Sequence, residues 1–359
     1  MLKLLSVVGA RPQFIKVAPL SKVFNENKVH HDIVHTGQHY DYAMSKAFFD
    51  ELEIPEPKYN LEIGSGSPGY QIGTMLIKLE EIFLNEKPDF ILVYGDTNST
   101  AAAAIAAAKC NIKFGHVEAG VREFNKLIPE ETNKLITDIL ADYYFCPSET
   151  GINNLKDMGI VQNVFNVGDV MIDLIFQNMG KITNNLHVLE KYKVEKRKYV
   201  FVTCHRATNT DNLDNLKEIL SAISEINVPV IFPIHPRTKK VIEKNSMQHF
   251  IEASHVTLIE PIGFFDSQTL IHFAKAVITD SGGVTKECYY HKVNGILTDH
   301  QTEWIETVNL GWNIQAGPNK CNILRAFENL QLPKEHVCFY GDGSASIKIY
   351  NEILKALVG

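Results

Sequence analysis

The sequence predicts an α/β protein made of two doubly wound parallel-sheet domains, and three observations predict it. Short β-rich runs, most of them apolar throughout, alternate with longer amphipathic segments, as strands covered on both faces alternate with crossover helices. The alternation pauses over 168–198 and then starts again, so the pattern occurs twice. At 359 residues the chain is too long for one typical domain and suits two of ordinary size.

Taken in order, strands are expected at 4–8, 32–36, 90–94, 113–117, 143–146 and 163–167. Helices are expected between them, near 14–25, 42–52, 69–85, 99–109, 130–142 and 149–158. The alanine run 101–108 reads as a helix that must approach the sheet closely, with no functional weight. The stretch 168–198 is polar and helical with no obvious strand. Strands resume at 199–203, 228–232, 256–258, 276–279 and 293–297. The expected domains are therefore 1–168 and 169–343. A last helix near 344–359, after the turn-rich Tyr340-Gly341-Asp342-Gly343, is expected to cross back to the first domain.

Composition narrows the function classes. With 45% hydrophobic and 21% charged residues the chain reads as soluble and globular, and no apolar run is long enough to span a bilayer. A formal net charge of -7 argues against a nucleic-acid or membrane-surface binder, so an anionic ligand must be met by local positive charge. The six cysteines lie far apart, without the paired spacing of zinc or redox sites, and read as reduced core residues of a cytoplasmic protein. Neither metal nor cofactor is expected. Residues 1–8 read as the first strand, since the apolar run is short and meets Gly9-Ala10-Arg11-Pro12 without a cleavage site.

The chain is organised around Asp280-Ser281-Gly282-Gly283, where an apolar strand breaks at two glycines and helical periodicity begins. Backbone can approach a ligand closely at those glycines, and the free N–H groups of a helix's first turn favour phosphate. Glu287 falls about one turn into that helix, within reach of a ribose. The same residues are equally an ordinary N-cap.

Ligands of such sheets bind beyond the carboxyl ends of the strands, and the residues there are reactive. The first strand is followed by Arg11 and Lys16, offered to an anion, and the second by Gln38-His39. Gly95-Asp96-Thr97, His116-Val117-Glu118-Ala119-Gly120-Val121-Arg122 and Pro129-Glu130-Glu131 come next. The second half adds Cys204-His205-Arg206, His235-Pro236-Arg237 and the Ser281-Gly282-Gly283 loop. Each has a plainer explanation: Asp96 as a helix cap, Glu130 as a complement to the helix dipole, His235 as a turn residue. Together they imply a cleft between domains, with phosphate binders on its floor and three carboxylates opposite a histidine.

In order and spacing these motifs resemble the non-hydrolysing UDP-N-acetylglucosamine 2-epimerase family over nearly the whole chain. The resemblance implies two Rossmann-like domains facing across a cleft, as in the GT-B glycosyltransferases, usually in a homodimer, with a UDP-sugar as substrate. It places Asp96, Glu118 and Glu130 in the acid/base set, with His205 beside them. Arg11, Lys16, Gln38, His39, Arg122, Arg206, His235 and Arg237 become candidates for substrate binding. Ser281, Gly282 and Gly283 are placed on the diphosphate, Glu287 on the ribose, and the backbone around Phe264 and Phe265 on the uracil.

Arg11-Pro12-Gln13-Phe14, His235-Pro236-Arg237-Thr238 and Thr302-Glu303-Trp304 look more like the branch acting on UDP-2,3-diacetamido-2,3-dideoxyglucuronate, with UDP-N-acetylglucosamine as the alternative substrate. Two departures bear on that choice. The family usually carries Arg where this chain has Thr298-Asp299-His300-Gln301, and the related branch tends to have Glu at the position of Thr208. Two other classes share part of the signature: a GT-B glycosyltransferase, which needs an acceptor site but not three carboxylates, and a non-catalytic nucleotide-binding protein.

Overall fold

The computed structural model of the protein describes residues 2–38 and 42–358. The chain forms two compact units, Met1–Gln177 with Cys338–Gly359, and Asn178–Val337. The helix Val170–Asn184 thus runs out of the first unit into the second, so the change-over lies beyond residue 168.

The first unit holds a sheet of β1 (Lys3–Val8), β2 (His30–His35), β3 (Tyr59–Asn60), β4 (Phe90–Tyr94), β5 (Phe114–Val117), β6 (Tyr143–Cys146) and β7 (Val164–Asn166). Its order is β3-β2-β1-β4-β5-β6-β7, parallel throughout. The second unit holds β8 (Val200–Thr203), β9 (Val230–Pro233), β10 (Val256–Ile259), β11 (Ala276–Thr279), β12 (Asn294–Leu297) and β13 (Asn313–Gln315). Its order is β10-β9-β8-β11-β12-β13, again parallel. Strands β3 and β13 were not expected; with two and three residues they are too short to show a pattern.

Burial explains the apolar strands. All five residues of β4, Phe-Ile-Leu-Val-Tyr, are fully buried, each large apolar side chain contributing about 1.5–3 kcal/mol by leaving water. Over β1, β4 and β5 lies the alanine-rich helix Asn98–Lys109, whose inward residues are too small to hold it off the sheet. The last helix, Ala345–Val358, is held in the first unit by Asp173, whose carboxylate accepts the N–H groups of Ala345 and Ser346 at 3.0 and 2.6 Å. Cys146, Cys204 and Cys288 are buried thiols, but Cys321 and Cys338 are exposed rather than in the core. No helix among the described residues is long and apolar enough to cross a membrane.

Gln13 fixes the turn after β1. Its Oε1 accepts the N–H groups of Gly9 and Ala10 at 2.7 and 3.1 Å, while its Nε2 donates to the Tyr94 carbonyl at 2.9 Å and to Thr100 Oγ1 at 3.0 Å. The loops after β1 and β4 are thereby locked together. Gln13→Leu leaves two buried N–H groups without a partner and is expected to destabilise the first unit by about 2–4 kcal/mol, measurable by chemical or thermal unfolding.

In the second unit His291 is buried between Gln268, whose Oε1 lies 2.8 Å from Nε2, and His272, 3.2 Å away ring nitrogen to ring nitrogen. Burial, with His272 and Arg197 nearby, pushes His291 down to about 3. The unfolded chain takes up a proton near pH 6.5 that the folded one refuses, so stability is present above that pH and is lost as pH falls toward 3. From this residue the slope is expected to rise from about 0.7 kcal/mol per pH unit at pH 6.5 to about 1.3 at pH 5, and His291→Phe should remove it in pH-dependent denaturant unfolding.

Candidate active site

In each sheet the chain reverses direction of winding once, between β1 and β4 in the first unit and between β8 and β11 in the second. Loops leaving neighbouring strands there turn to opposite faces and open a crevice. In the first unit Arg11, Gln13 and Lys16 lie on the first turns of the helix Arg11–Glu26 that follows β1, and Asp96 in the loop after β4; the second unit offers His205, Arg206 and the Asp280–Gly283 turn.

Lys16 and Glu118 form a nearly buried ion pair in the first unit. Burial opposes the ammonium charge, but Glu118, Asp96 and Asp169 outweigh it and hold Lys16 above its usual pKa. Gly95 makes room for that ammonium: its φ is +60°, and a Cβ there would lie 2.9 Å from Lys16 Nζ. Glu118 is itself in the left-handed region at φ 73°, a conformation that strains any residue with a side chain. The helix Asn98–Lys109 is capped by Thr97, which accepts the Thr100 N–H at 3.3 Å, so the Asp96 carboxylate is not used as a cap. It remains 34% exposed, 3.5 Å from Lys134 Nζ.

Lys134 lies on the helix Pro129–Leu140, which buries Glu131, Asn133, Lys134, Thr137 and Asp138 and turns Ile139 and Leu140 outward. Asn133 donates to the Asp96 carbonyl at 2.9 Å, and Lys134 also meets Glu123 at 3.3 Å. The two glutamates at the helix start divide sharply. Glu131 is buried and accepts the Glu123 N–H at 2.8 Å; Glu130 is exposed, with no hydrogen bond or ion pair to another described residue.

Deeper on the same helix, Asp138 is fully buried among three donors. Oδ1 accepts from His116 Nδ1 at 2.5 Å, and Oδ2 accepts from Arg122 Nη2 at 2.6 Å and from the Gly120 N–H at 3.1 Å. Burial alone would raise Asp138, yet His116 and Arg122 hold it below the ordinary carboxylate range. His116 Nε2 donates to the Gly95 carbonyl at 2.7 Å. Arg122, expected as a candidate for substrate binding, is buried, with its other nitrogen on the Val121 carbonyl at 2.8 Å.

In the second unit the carboxylate of Asp280 accepts the N–H groups of His205 at 2.8 Å and Arg206 at 2.9 Å, so β11 sets the course of the loop after β8. The helix Gly282–Tyr290 begins at Ser281, whose hydroxyl accepts the Val284 N–H at 3.5 Å; Glu287 is buried further along it. A Cβ on Gly282 would lie 2.6 Å from Glu303 Oε1 and 3.3 Å from Arg206 Nη2, so the Arg206 guanidinium stands at this helix N-terminus. Arg206 is held there by Asp299 at 3.0 Å and Glu303 at 3.5 Å. The two departures from the family pattern meet at the same place, because Thr208 Oγ1 donates to Asp299 at 3.4 Å.

His205 and His235 rings lie 5.4 Å apart. His235 is the N-cap of the helix Pro236–Lys244, accepting the Arg237 N–H at 3.2 Å, which is the turn role its position before proline allows. Arg237 is turned to Asp211 at 2.6 Å and to Thr210 at 2.7 Å, an ion pair at the surface. Phe264 is buried at the start of the helix Phe264–His272, and Phe265 lies under Lys181 at 5.2 Å. Arg11 stacks on Phe48 at 4.4 Å, and Gln38 Oε1 accepts from Ser99. His39 lies outside the described residues.

Sequence reasoning passed over Lys134, Asp138, Asp299 and Glu303. Glu131, Lys134 and Asp138 at helical spacing were the available signal for the first group.

Comparison with known proteins assigns the family. Residues 21–354 match the family model described as UDP-N-acetylglucosamine 2-epimerase. A UDP-N-acetylglucosamine 2-epimerase homolog of Methanococcus maripaludis is 48% identical, covering 99% of this chain and 100% of its own. The UDP-2,3-diacetamido-2,3-dideoxy-D-glucuronate 2-epimerase of Pseudomonas aeruginosa is 38% identical over 99% of this chain and 100% of its own. The crystal structure of Methanocaldococcus jannaschii UDP-GlcNAc 2-epimerase in complex with UDP-GlcNAc and UDP superposes with a TM-score of 0.92 at 38% identity, covering 99% of this chain and 100% of that one. Two parallel-sheet units of GT-B-like fold and the matched motifs lead to one conclusion: the chain belongs to the non-hydrolysing UDP-N-acetylglucosamine 2-epimerase family and is a UDP-sugar 2-epimerase.

Proposed function

We propose that the protein interconverts UDP-N-acetylglucosamine and its manno epimer. The observation that carries this choice is the matching of charge. Lys16 is paired with Glu118, Lys134 with Asp96 and Glu123, Arg206 with Asp299 and Glu303, and Arg237 with Asp211. A sugar bearing a carboxylate needs added positive charge, but Lys16, Lys134 and Arg237 already have their counter-ions, and Arg206 is kept for the diphosphate. A neutral acetamido sugar makes no such demand. The names of the M. maripaludis relative and the M. jannaschii structure point the same way.

The chemistry explains the carboxylates. The C2 proton of an acetamido sugar is not beside a carbonyl, so its loss must be coupled to departure of UDP from C1. A base takes the C2 proton, the C–H electrons form the C1–C2 double bond, and the C1–O bond breaks to release UDP. An acid then protonates C2 from the opposite face as a UDP oxygen adds back to C1. Asp96, Glu118 and Glu130 form the acid/base set in this reading, with Lys16 and Lys134 offsetting the charge of the first two. The diphosphate is received by the Ser281–Gly283 N–H groups with Arg206 and His205, and the ribose by Glu287.

A second reading, the diacetamido-glucuronate as substrate, is favoured by the P. aeruginosa relative and by the Arg11–Phe14 and His235–Thr238 motif variants. Incubation of the protein with each UDP-sugar in deuterated water decides between them. Deuterium is expected at C2 of UDP-N-acetylglucosamine without an acceptor, with a specificity constant at least about tenfold above that for the charged sugar. The reverse ratio would establish the second reading. Exchange with neither sugar would remove both.

In the same assay Asp96→Asn, Glu118→Gln and Glu130→Gln are each expected to slow exchange by about a hundredfold or more, the scale of a lost acid or base. Near wild-type rates in all three would discard this acid/base set.

A further inference from the structure

We infer that Asp138 is a positioning residue for the reaction, setting the two carboxylate-bearing loops of the first unit from one buried carboxylate. The inference rests on the acid/base reading of Asp96 and Glu118. Two chains of contact leave Asp138. Through Oδ1 it holds His116 at 2.5 Å, and the far nitrogen of that ring donates to the Gly95 carbonyl at 2.7 Å. Gly95 is the left-handed residue immediately before Asp96. Through Oδ2 it takes the Gly120 N–H at 3.1 Å. Gly120 closes the turn that begins with Glu118, also left-handed, and a Cβ at Gly120 would lie 2.2 Å from the Gly151 carbonyl oxygen.

The turn after β5 therefore contains, at Glu118, backbone that a residue with a side chain seldom adopts, and such a conformation persists only where surrounding contacts fix it. Other bonds act on the same loops: the Glu118 and Ala119 N–H groups meet the Phe145 carbonyl at 3.0 and 3.2 Å, and the Gly95 N–H meets the Val117 carbonyl at 2.9 Å. Those bonds tie each loop to a neighbouring strand. Asp138 joins the two loops, holding the Gly120 turn directly and the Gly95 loop through His116, and it is charged and fully buried, so its partners are fixed in number and direction. Arg122 supplies the remaining positive charge at 2.6 Å. A displacement near 1 Å of a reacting group is enough to slow a reaction about a hundredfold.

The experiment compares wild type, Asp138→Asn, Asp138→Glu and Ser6→Ala, reading C2 deuterium exchange, UDP affinity, the unfolding midpoint and hydrogen exchange of the Gly120 amide. Ser6→Ala is the structural control, since it removes a buried hydroxyl that meets Tyr94 at 2.7 Å and His31 at 2.8 Å, within the same sheet. For D138N the expected result is a fall in kcat of about a hundredfold or more, UDP affinity within about twofold of wild type, and Gly120 exchange at least about tenfold faster. D138E, which keeps the charge, should recover part of the loss, while S6A lowers the midpoint and leaves kcat in place. A folded D138N that keeps more than about one third of wild-type kcat overturns the inference, as does S6A losing as much kcat for an equal fall in midpoint. If D138N does not fold, His116→Phe, which cuts the path from Asp138 to Gly95 and leaves the Gly120 N–H on Asp138, is read by the same kcat, UDP-affinity and midpoint criteria. Should wild type exchange no UDP-sugar, the proposed function fails, and Gly120 protection alone then decides whether Asp138 holds the turn.

Discussion

A carboxylate sealed from water must find its positive partners inside the protein, and the buried Asp138 does so with donors from the strand β5, the turn after it and Arg122. Burial would otherwise drive the proton back onto the oxygen. The consequence reaches well past one side chain. His116 is set by Asp138 and in turn sets the loop after β4, so the carboxylate on a helix fixes the outlets of two strands. Breaking one partner of such a buried set is severe because the others are left without counter-charge.

The parallel sheets were legible in the sequence because strands buried on both faces are apolar without interruption, as β4 is. Strands β3 and β13 were not, since two or three residues at a sheet edge carry no period. Among the site residues, Lys16, Asp96 and Glu118 stand together in the first unit, and His205, Arg206 and Ser281–Gly283 in the second. Arg122 and Arg237 were read as ligands of an anion because a motif shows residue type and not partner. Their partners, Asp138 and Asp211, lie 16 and 26 positions away in sequence. The helix Pro129–Leu140 explains why Asp138 escaped notice: it is amphipathic in reverse, with charged residues inward and Ile139 and Leu140 outward, so hydrophobic periodicity points to the wrong face.

The positions that differ from the family pattern in the second unit are easier to understand together than apart. Thr208 and Asp299 touch each other, and Asp299 also holds Arg206 at the start of the Gly282–Tyr290 helix. An acidic residue in the loop after β12 is thus balanced by an arginine from the loop after β8. This arrangement also turns the guanidinium toward the helix N-terminus, where the backbone N–H groups and the positive end of the dipole already favour an anion.

Glu118 combines a left-handed backbone with a side chain locked to Lys16. Glycine would occupy the same conformation without strain, yet it would leave the Lys16 ammonium without its counter-charge, so the turn is held by the ion pair and not by the ease of its backbone. Selection for thermal resilience alone would meet two opposed effects at position 118, relief of the backbone against a buried cation left unmatched. A stabilised variant bred from this sequence would have to change positions 16 and 118 together, a route that a screen of single substitutions passes over.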